Sequence, residues 1–205
     1  MPSTPIDTFT ASYAVLPVDN IDTDQIIPAR FLTTTERTGL GPLAFHDWRR
    51  RADGSTNPEF ALNHPDAAGA EVLVAGRNFG CGSSREHAVW ALQGAGFRAV
   101  VSAEFADIFR GNALGNGLLP IQVDSRIVAS LVALSAEGRK LSIDLRAQTL
   151  VLPDGEAVSF PIPPFARHCL VHGIDELDFL LECTSSIAAY EQSHPTHVTT
   201  TRRVA

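Results

Sequence analysis

One stretch restricts the folds open to this chain more than any other. Glu71–Ala75 is an apolar run of strand length, three glycines lie between Gly76 and Ser84, and Ala88–Ala95 carries Ala, Val and Leu on one helical side. Strand, glycine-rich turn and helix start together make part of a parallel strand–helix unit, and they point backbone N–H groups at an anion. Ser83 and Glu86 fit the S-x-x-E capping box, which predicts a helix beginning at Ser83 or Ser84. The glycines alone would describe a phosphate cradle. Ser83-Ser84-Arg85 adds chemistry that a plain cradle lacks.

The flanking chain continues the pattern. Phe9–Val18 reads as a first strand, Phe97–Ser102 and Leu118–Val123 as two more. Helices are predicted over Glu104–Asn112 and over Arg126–Leu134, the latter capped by Asp124 or Ser125. Strand and helix therefore alternate from residue 71 to 134, the signature of an α/β layer. The period then changes. Leu141–Leu145, Thr149–Leu152 and Ala157–Ile162 alternate in strand fashion around the Pro153-Asp154-Gly155 turn and predict an antiparallel meander. Helices follow over Phe165–His172, stopped by Gly173, and over Asp175–Tyr190, with Leu177, Leu180, Leu181 and Ile187 at helical spacing. From Ala29 to Pro65 periodicity is weak, and a loop of that length is expected to cover a site. Residues 1–190 are expected to form one domain and the polar run 191–205 a mobile tail.

Composition removes several functions. At 205 residues with 44% hydrophobic and 19% charged residues, the chain is an ordinary globular one. A net charge of −7 without a long basic run speaks against nucleic acid as partner, and Arg49-Arg50-Arg51 reads as a solvated loop. No secretory signal and no transmembrane segment are recognisable, so a cytoplasmic location and no membrane partner are expected. Cys81, Cys169 and Cys183 are an odd, widely spaced set that suggests reduced thiols. No C-x-x-C is present, and no metal site is expected on this chain.

The chemistry centres on Ser83, Ser84 and Arg85. Arg85 offers a planar, permanently charged fork for a carboxylate or phosphate, and a helix start adds donors. In that positive field a serine alkoxide is stabilised, so Ser83 is suited to take a proton from carbon or to attack an electrophile. Acyl transfer wants G-x-S-x-G, and Ser83 has no glycine two positions on. Asp22 and Asp24, within an acid-rich run from Asp19, are expected to shape the site, since acids beside an arginine pin its geometry. Cys81 reads as a small turn residue facing the site, although a helix N-terminus lowers a thiol pKa. His87 reads as structural, His168 and His172 as a surface or subunit contact, and Trp48 and Trp90 as core or interface.

Asn78-Phe79-Gly80-Cys81-Gly82-Ser83-Ser84-Arg85-Glu86-His87-Ala88 closely resembles the signature of the swivelling domain of the aconitase superfamily. Asp22-Thr23-Asp24-Gln25-Ile26-Ile27-Pro28, Cys81, the chain length and the run from Pro164 to Asp175 resemble the small-subunit family of bacterial 3-isopropylmalate dehydratases. The resemblance spans about residues 6 to 190. It implies a single α/β domain of three β/β/α layers, and a hydro-lyase that moves a hydroxyl between adjacent carbons of a malate derivative in leucine biosynthesis. It also implies a partner: a large subunit, in a heterodimer or heterotetramer, that carries a [4Fe–4S] cluster which this chain does not bind. The isolated chain is then expected to be inactive. By resemblance Ser83 is the base, and Ser84 and Arg85 hold a carboxylate of a small dicarboxylate substrate, with Arg37 as a second contact. Phe31, Leu32 and Thr33 open the loop that faces the substrate side chain, and Asn78, Gly80, Cys81, Gly82 and His87 shape the site. Related small subunits acting on citraconate/2-methylmalate or homoaconitate, and a non-catalytic anion-binding module of the same fold, are the alternatives.

Overall fold

The structure is a computed structural model that describes residues 4–33, 35–134 and 140–194. Its frame is a seven-stranded sheet in the order β4-β3-β2-β1-β5-β6-β7. Strands β1 (Thr8–Leu16), β2 (Val72–Ala75), β3 (Ala99–Ser102) and β4 (Leu119–Gln122) run parallel. Strands β5 (Lys140–Asp144), β6 (Thr149–Val151) and β7 (Ala157–Ser159) form the expected meander. The two halves share β1, which pairs with β5 antiparallel over Thr8–Ser12 and with β2 parallel over Tyr13–Leu16. β2 and β3 are buried at every position, as parallel strands covered on both faces must be.

Two apolar clusters lie on the two faces of the parallel half. One holds Val72, Val74, Val101 and Ile121 together with Leu141, Ile143 and Leu150 of the meander, so the sheet curls over and packs on itself. Val128 and Leu131 of α5 (Ser125–Ala133) and Leu170 of α6 (Pro164–His172) complete that side. The other cluster packs Leu73, Ala75 and Val100 against α3 (Glu86–Gly94) and Phe109 and Ala113 of α4 (Asp107–Gly115). Meander, parallel sheet and helices are the three β/β/α layers. Asp124 caps α5 by accepting from Arg126 N–H, and Gly173, at φ 67, ends α6.

Residues 29–65 are more ordered than their weak periodicity predicts. They fold into α2 (His46–Arg49) and short 3-10 turns that bury Leu40, Ala44, Phe45, Phe60 and Leu62 in the α3 cluster. Irregular turns hide apolar residues without leaving a period. This segment crosses α3 at Gly41, where a Cβ would land inside the Gly94 carbonyl.

The C-terminal part differs from expectation in another way. The single helix predicted over Asp175–Tyr190 is two, α7 (Glu176–Glu182) and α8 (Thr184–Ser193), meeting at Cys183. Asp175 and Asp178 form a reciprocal capping box at the start of α7. Leu177, Leu180, Leu181 and Ile187, noted for their helical spacing, are exposed by 64, 54, 62 and 42%. α8 carries the fold beyond residue 190 into the stretch read as tail, while residues 195–205 lie outside the described residues.

Because the Gly41–Gly94 crossing is backbone against backbone, Gly41→Ala should cost about 2–3 kcal/mol of stability. Urea unfolding of the purified chain, followed by tryptophan fluorescence, measures it.

Candidate active site

The glycine-rich turn leaves β2 at its C-terminal end, where open parallel sheets place their ligand crevices. It is held there as a short extra strand. Gly80 N–H donates to Ile21 C=O (2.7 Å) and Thr23 N–H to Cys81 C=O (2.9 Å) on one side; Phe79 N–H donates to Glu104 C=O (3.0 Å) and Ala106 N–H to Phe79 C=O (3.0 Å) on the other. The turn is therefore wedged between the loops after β1 and β3. Its N–H groups at Phe79 and Gly80 are consumed by backbone carbonyls, and Arg77 N–H by Asp19 Oδ1 (2.7 Å). The first glycines of the turn thus serve close threading, and any anion-facing N–H groups lie beyond Gly80 toward the helix start. A Cβ on Gly80 would sit inside the Phe109 ring, and Asn78, Gly80 and Gly82 all have positive φ (56, 76 and 91°).

The helix start also differs from the predicted one. α3 begins at Glu86, Arg85 stands at the N-cap position, and no side chain caps it. Ser83 and Ser84 are exposed, and among the described residues neither hydroxyl makes a hydrogen bond. Ser83 is instead fixed through its backbone, whose carbonyl accepts from Thr23 Oγ1 at 3.1 Å. A capping serine would have spent its oxygen on a helix N–H. Here the oxygen is open.

The two predicted acids take distinct places. Asp22 caps the short α1 (Thr23–Ile26) in a reciprocal box with Gln25, at 2.7 and 2.8 Å, and so fixes the segment that carries Thr23 and Asp24. Asp24 pairs directly with Nη1 of Arg85, whose side chain is only 17% exposed. Asp24 also accepts from Ala29 N–H at 3.1 Å, at the root of the segment leading to Phe31, Leu32 and Thr33. The hydrogen bond from Arg85 holds the Asp24 carboxyl below its ordinary value of 3.8, against a smaller opposing effect of burial. A depressed aspartate keeps its ion pair above that value and loses it as pH falls through the lower folded one, so the pair is intact at neutral pH. Only one guanidinium nitrogen is spoken for, which leaves the rest of the fork open to a carboxylate.

The other predicted residues divide. Asn78 Nδ2 donates to Asn20 Oδ1 at 2.9 Å, joining two left-handed residues across the threaded turn. Cys81 Sγ donates to Asn20 C=O at 3.4 Å, and burial, reinforced by the nearby Asp22 charge, pushes its thiol pKa up rather than down. Neither feature favours an activated nucleophile, and the position is that of a turn residue. His87 packs on Trp90 with ring centroids 4.7 Å apart. Arg37 lies over the same indole at 5.2 Å, one turn into α3, and is not drawn onto the Asp24–Arg85 pair. Phe31 meets His46 edge-on at 4.9 Å, Leu32 packs on the α3 cluster and Thr33 is exposed.

Sequence reasoning missed Thr23, Asn20 and Ser102. Thr23 is buried between two aspartates whose charges drew the attention, and Ser102 Oγ closes the root of the turn by donating to Gly76 C=O at 2.7 Å. The described residues contain no group of three His, Cys, Asp or Glu that could hold a metal ion. The thiols stand apart, Cys81 in the turn, Cys169 within α6 and Cys183 after α7. His168 and His172 stack at 4.2 Å on α6 and line a shallow cavity with Arg146 and Arg167. No helix among the described residues is long and apolar enough to cross a membrane.

A curled mixed sheet bearing a serine–arginine turn at the ends of its parallel strands is the architecture of the aconitase C-terminal domain, whose family model matches residues 9–126. A second model, LeuD_N, matches residues 131–164. The chain is 57% identical over 198 residues to the 3-isopropylmalate dehydratase small subunit of Chloroflexus aurantiacus, covering 96% of this chain and 98% of that one. To the protein of the same description from Anaeromyxobacter dehalogenans it is 56% identical over 187 residues, 91% of this chain and 97% of the other. Among solved structures, 3-isopropylmalate dehydratase (leuD) from Methanocaldococcus jannaschii superposes with a TM-score of 0.63 at 27% identity, over 89% of this chain and 99% of that one. The chain belongs to the family of 3-isopropylmalate dehydratase small subunits, within the aconitase superfamily.

With its pKa raised, Cys81 should be alkylated by iodoacetamide at pH 8 more slowly than an unperturbed cysteine. Asp22→Asn, which removes the repelling charge, should narrow that gap. Peptide mass spectrometry over a time course reads both.

Proposed function

We propose that this chain, joined to a large subunit, interconverts 2-isopropylmalate and 3-isopropylmalate through 2-isopropylmaleate in leucine biosynthesis. The observation that carries the reading is the Ser83 hydroxyl, left uncommitted beside an arginine that Asp24 already holds in place. Relatives more than half identical over nearly the whole chain bear the name of that enzyme's small subunit.

Each residue then has a task. Arg85, with Ser84, binds a substrate carboxylate, and the positive charge lowers the cost of an alkoxide at Ser83. Ser83 takes the proton from the carbon beside that carboxylate, the C–O bond on the neighbouring carbon breaks with its electron pair leaving on oxygen, and a proton from solvent completes the departing hydroxide as water. Water returns in the opposite sense, and Ser83 gives the proton back to the other carbon. Among the described residues Cys81, Cys169 and Cys183 stand apart on separate elements, and in this reading a [4Fe–4S] cluster belongs to the large subunit. The cluster supplies Lewis acidity toward the departing hydroxyl. Phe31, Leu32 and Thr33, rooted on Asp24 through Ala29, face the substrate side chain. Three free thiols suit a reducing cytoplasm.

Reconstituted with the large subunit, Ser83→Ala should assemble normally and lose about 10²–10⁴-fold in kcat, the usual share of a general base. Turnover near that of the unaltered enzyme would remove Ser83 from the mechanism. Arg85→Lys should lower kcat/KM by the 1.5–3 kcal/mol, roughly, of a charged hydrogen bond, mainly through KM. Following the absorbance of the unsaturated intermediate measures both, and the small subunit alone should give no signal.

A further inference from the structure

We infer that Asn116 is a positioning residue for the Ser83–Arg85 turn, anchoring the start of α3 through the Glu86 side chain where no side chain caps it. α3 begins without any side-chain cap, although four N–H groups at a helix start need partners and an uncapped end frays. Its first residue, Glu86, directly follows Arg85 and is tied elsewhere: Glu86 Oε1 accepts from Asn116 Nδ2 at 3.2 Å. Asn116 stands at the C-terminal end of α4 and is 8% exposed, one of few buried polar side chains among the described residues.

Asn116 is held from several directions at once. Its Nδ2 also donates to Asn112 C=O at 2.9 Å, its Oδ1 accepts from Trp90 Nε1 at 2.9 Å, and its C=O accepts from Gln93 Nε2 at 2.7 Å. Three residues of α3, at its start, middle and end, thus meet one residue at the end of α4, two through its side-chain amide and one through its backbone carbonyl. A buried amide with both N–H groups and its oxygen engaged has little freedom to move. Glu86 is consequently tied to a fixed point, and the residues just before it inherit that placement. The same arrangement reaches the loop over α3, because Arg37 lies on the Trp90 indole whose N–H Asn116 receives.

The division of labour has a chemical logic. Were Ser83 or Ser84 the cap, the hydroxyl would accept a helix N–H and lose basicity toward carbon. Moving the restraint from the near side of the helix to its flank through Glu86 and Asn116 holds the turn and leaves both hydroxyls open. Arg85 is secured separately by Asp24. Loss of the Asn116 tie should therefore scatter the Ser83 oxygen more than the carboxylate clamp, lowering kcat and sparing KM.

This inference rests on the role proposed for Ser83, and the experiment separates the two. With the assembled two-subunit enzyme, Asn116→Ala and Glu86→Ala should each lower kcat about tenfold with KM changed less than twofold. Glu86→Gln, whose amide oxygen accepts the same bond, should recover most of the loss. The double Ala variant should be no slower than Asn116→Ala alone, since both changes break one link. Glu86→Ala at wild-type kcat, Glu86→Gln as slow as Glu86→Ala, or additive losses would each overturn the inference. Glu86 lies on the surface, so its variants report even where Asn116→Ala does not fold. Ser83→Ala measured alongside tests the base by itself: turnover there removes the base, while the Glu86–Asn116 coupling is still read from kcat.

Discussion

The site depends on backbone pairing more than on any side chain. Gly80 bonded to Ile21 and Phe79 to Glu104 make the turn after β2 an extra rung between the loops after β1 and β3. Backbone ladders of this kind fix position closely, and they do it without using the functional groups they position. The glycines matter because the threading is tight: Val18 approaches Gly76 and the Phe109 ring approaches Gly80 where any Cβ would stand. Everything that follows in the chain, from Ser83 to Glu86, starts from a place set by that pairing.

Around the threaded turn, the two neighbouring acids divide the work. Asp22 spends its carboxylate on ordering α1, which lets Thr23 grip the Ser83 carbonyl and Asp24 grip Arg85. One aspartate therefore works on shape and the next on charge, although they lie two residues apart. An arginine with a carboxylate on one nitrogen retains its orientation while its other nitrogens stay uncommitted, an arrangement suited to receiving a second carboxylate.

Much of this was readable in the sequence, and the failures share a cause. The strand–turn–helix order, the meander around Pro153-Asp154-Gly155 and the importance of Ser83, Arg85 and Asp24 follow from local pattern or from the motif. Local pattern misplaced the start of α3, because Ser83 and Glu86 satisfy a capping box on paper while Asn116, thirty residues beyond Glu86, holds that glutamate instead. The threading of the turn was hidden likewise: which of its N–H groups are taken depends on loops that the sequence keeps far apart. Thr23 and Ser102 were overlooked because a buried hydroxyl gives no periodic signal. The Leu177–Ile187 stripe was legible as amphipathic, but periodicity does not say whether a covering surface exists within the same chain.

The double pairing of β1 carries a consequence for how the chain folds. Thr10 meets Ser142 across the sheet, 132 residues away in sequence, while the other end of the same strand lies along β2. During synthesis β1 must therefore wait for β5, with an edge open to improper pairing until it arrives. Contacts of such long sequence separation slow folding, since loop closure is spent before pairing returns anything. Once β5 arrives, though, β1 locks the parallel half and the meander together, and neither can unravel without exposing an edge of the other. A protein built around one shared stave gains cooperativity from the feature that makes it slow to assemble.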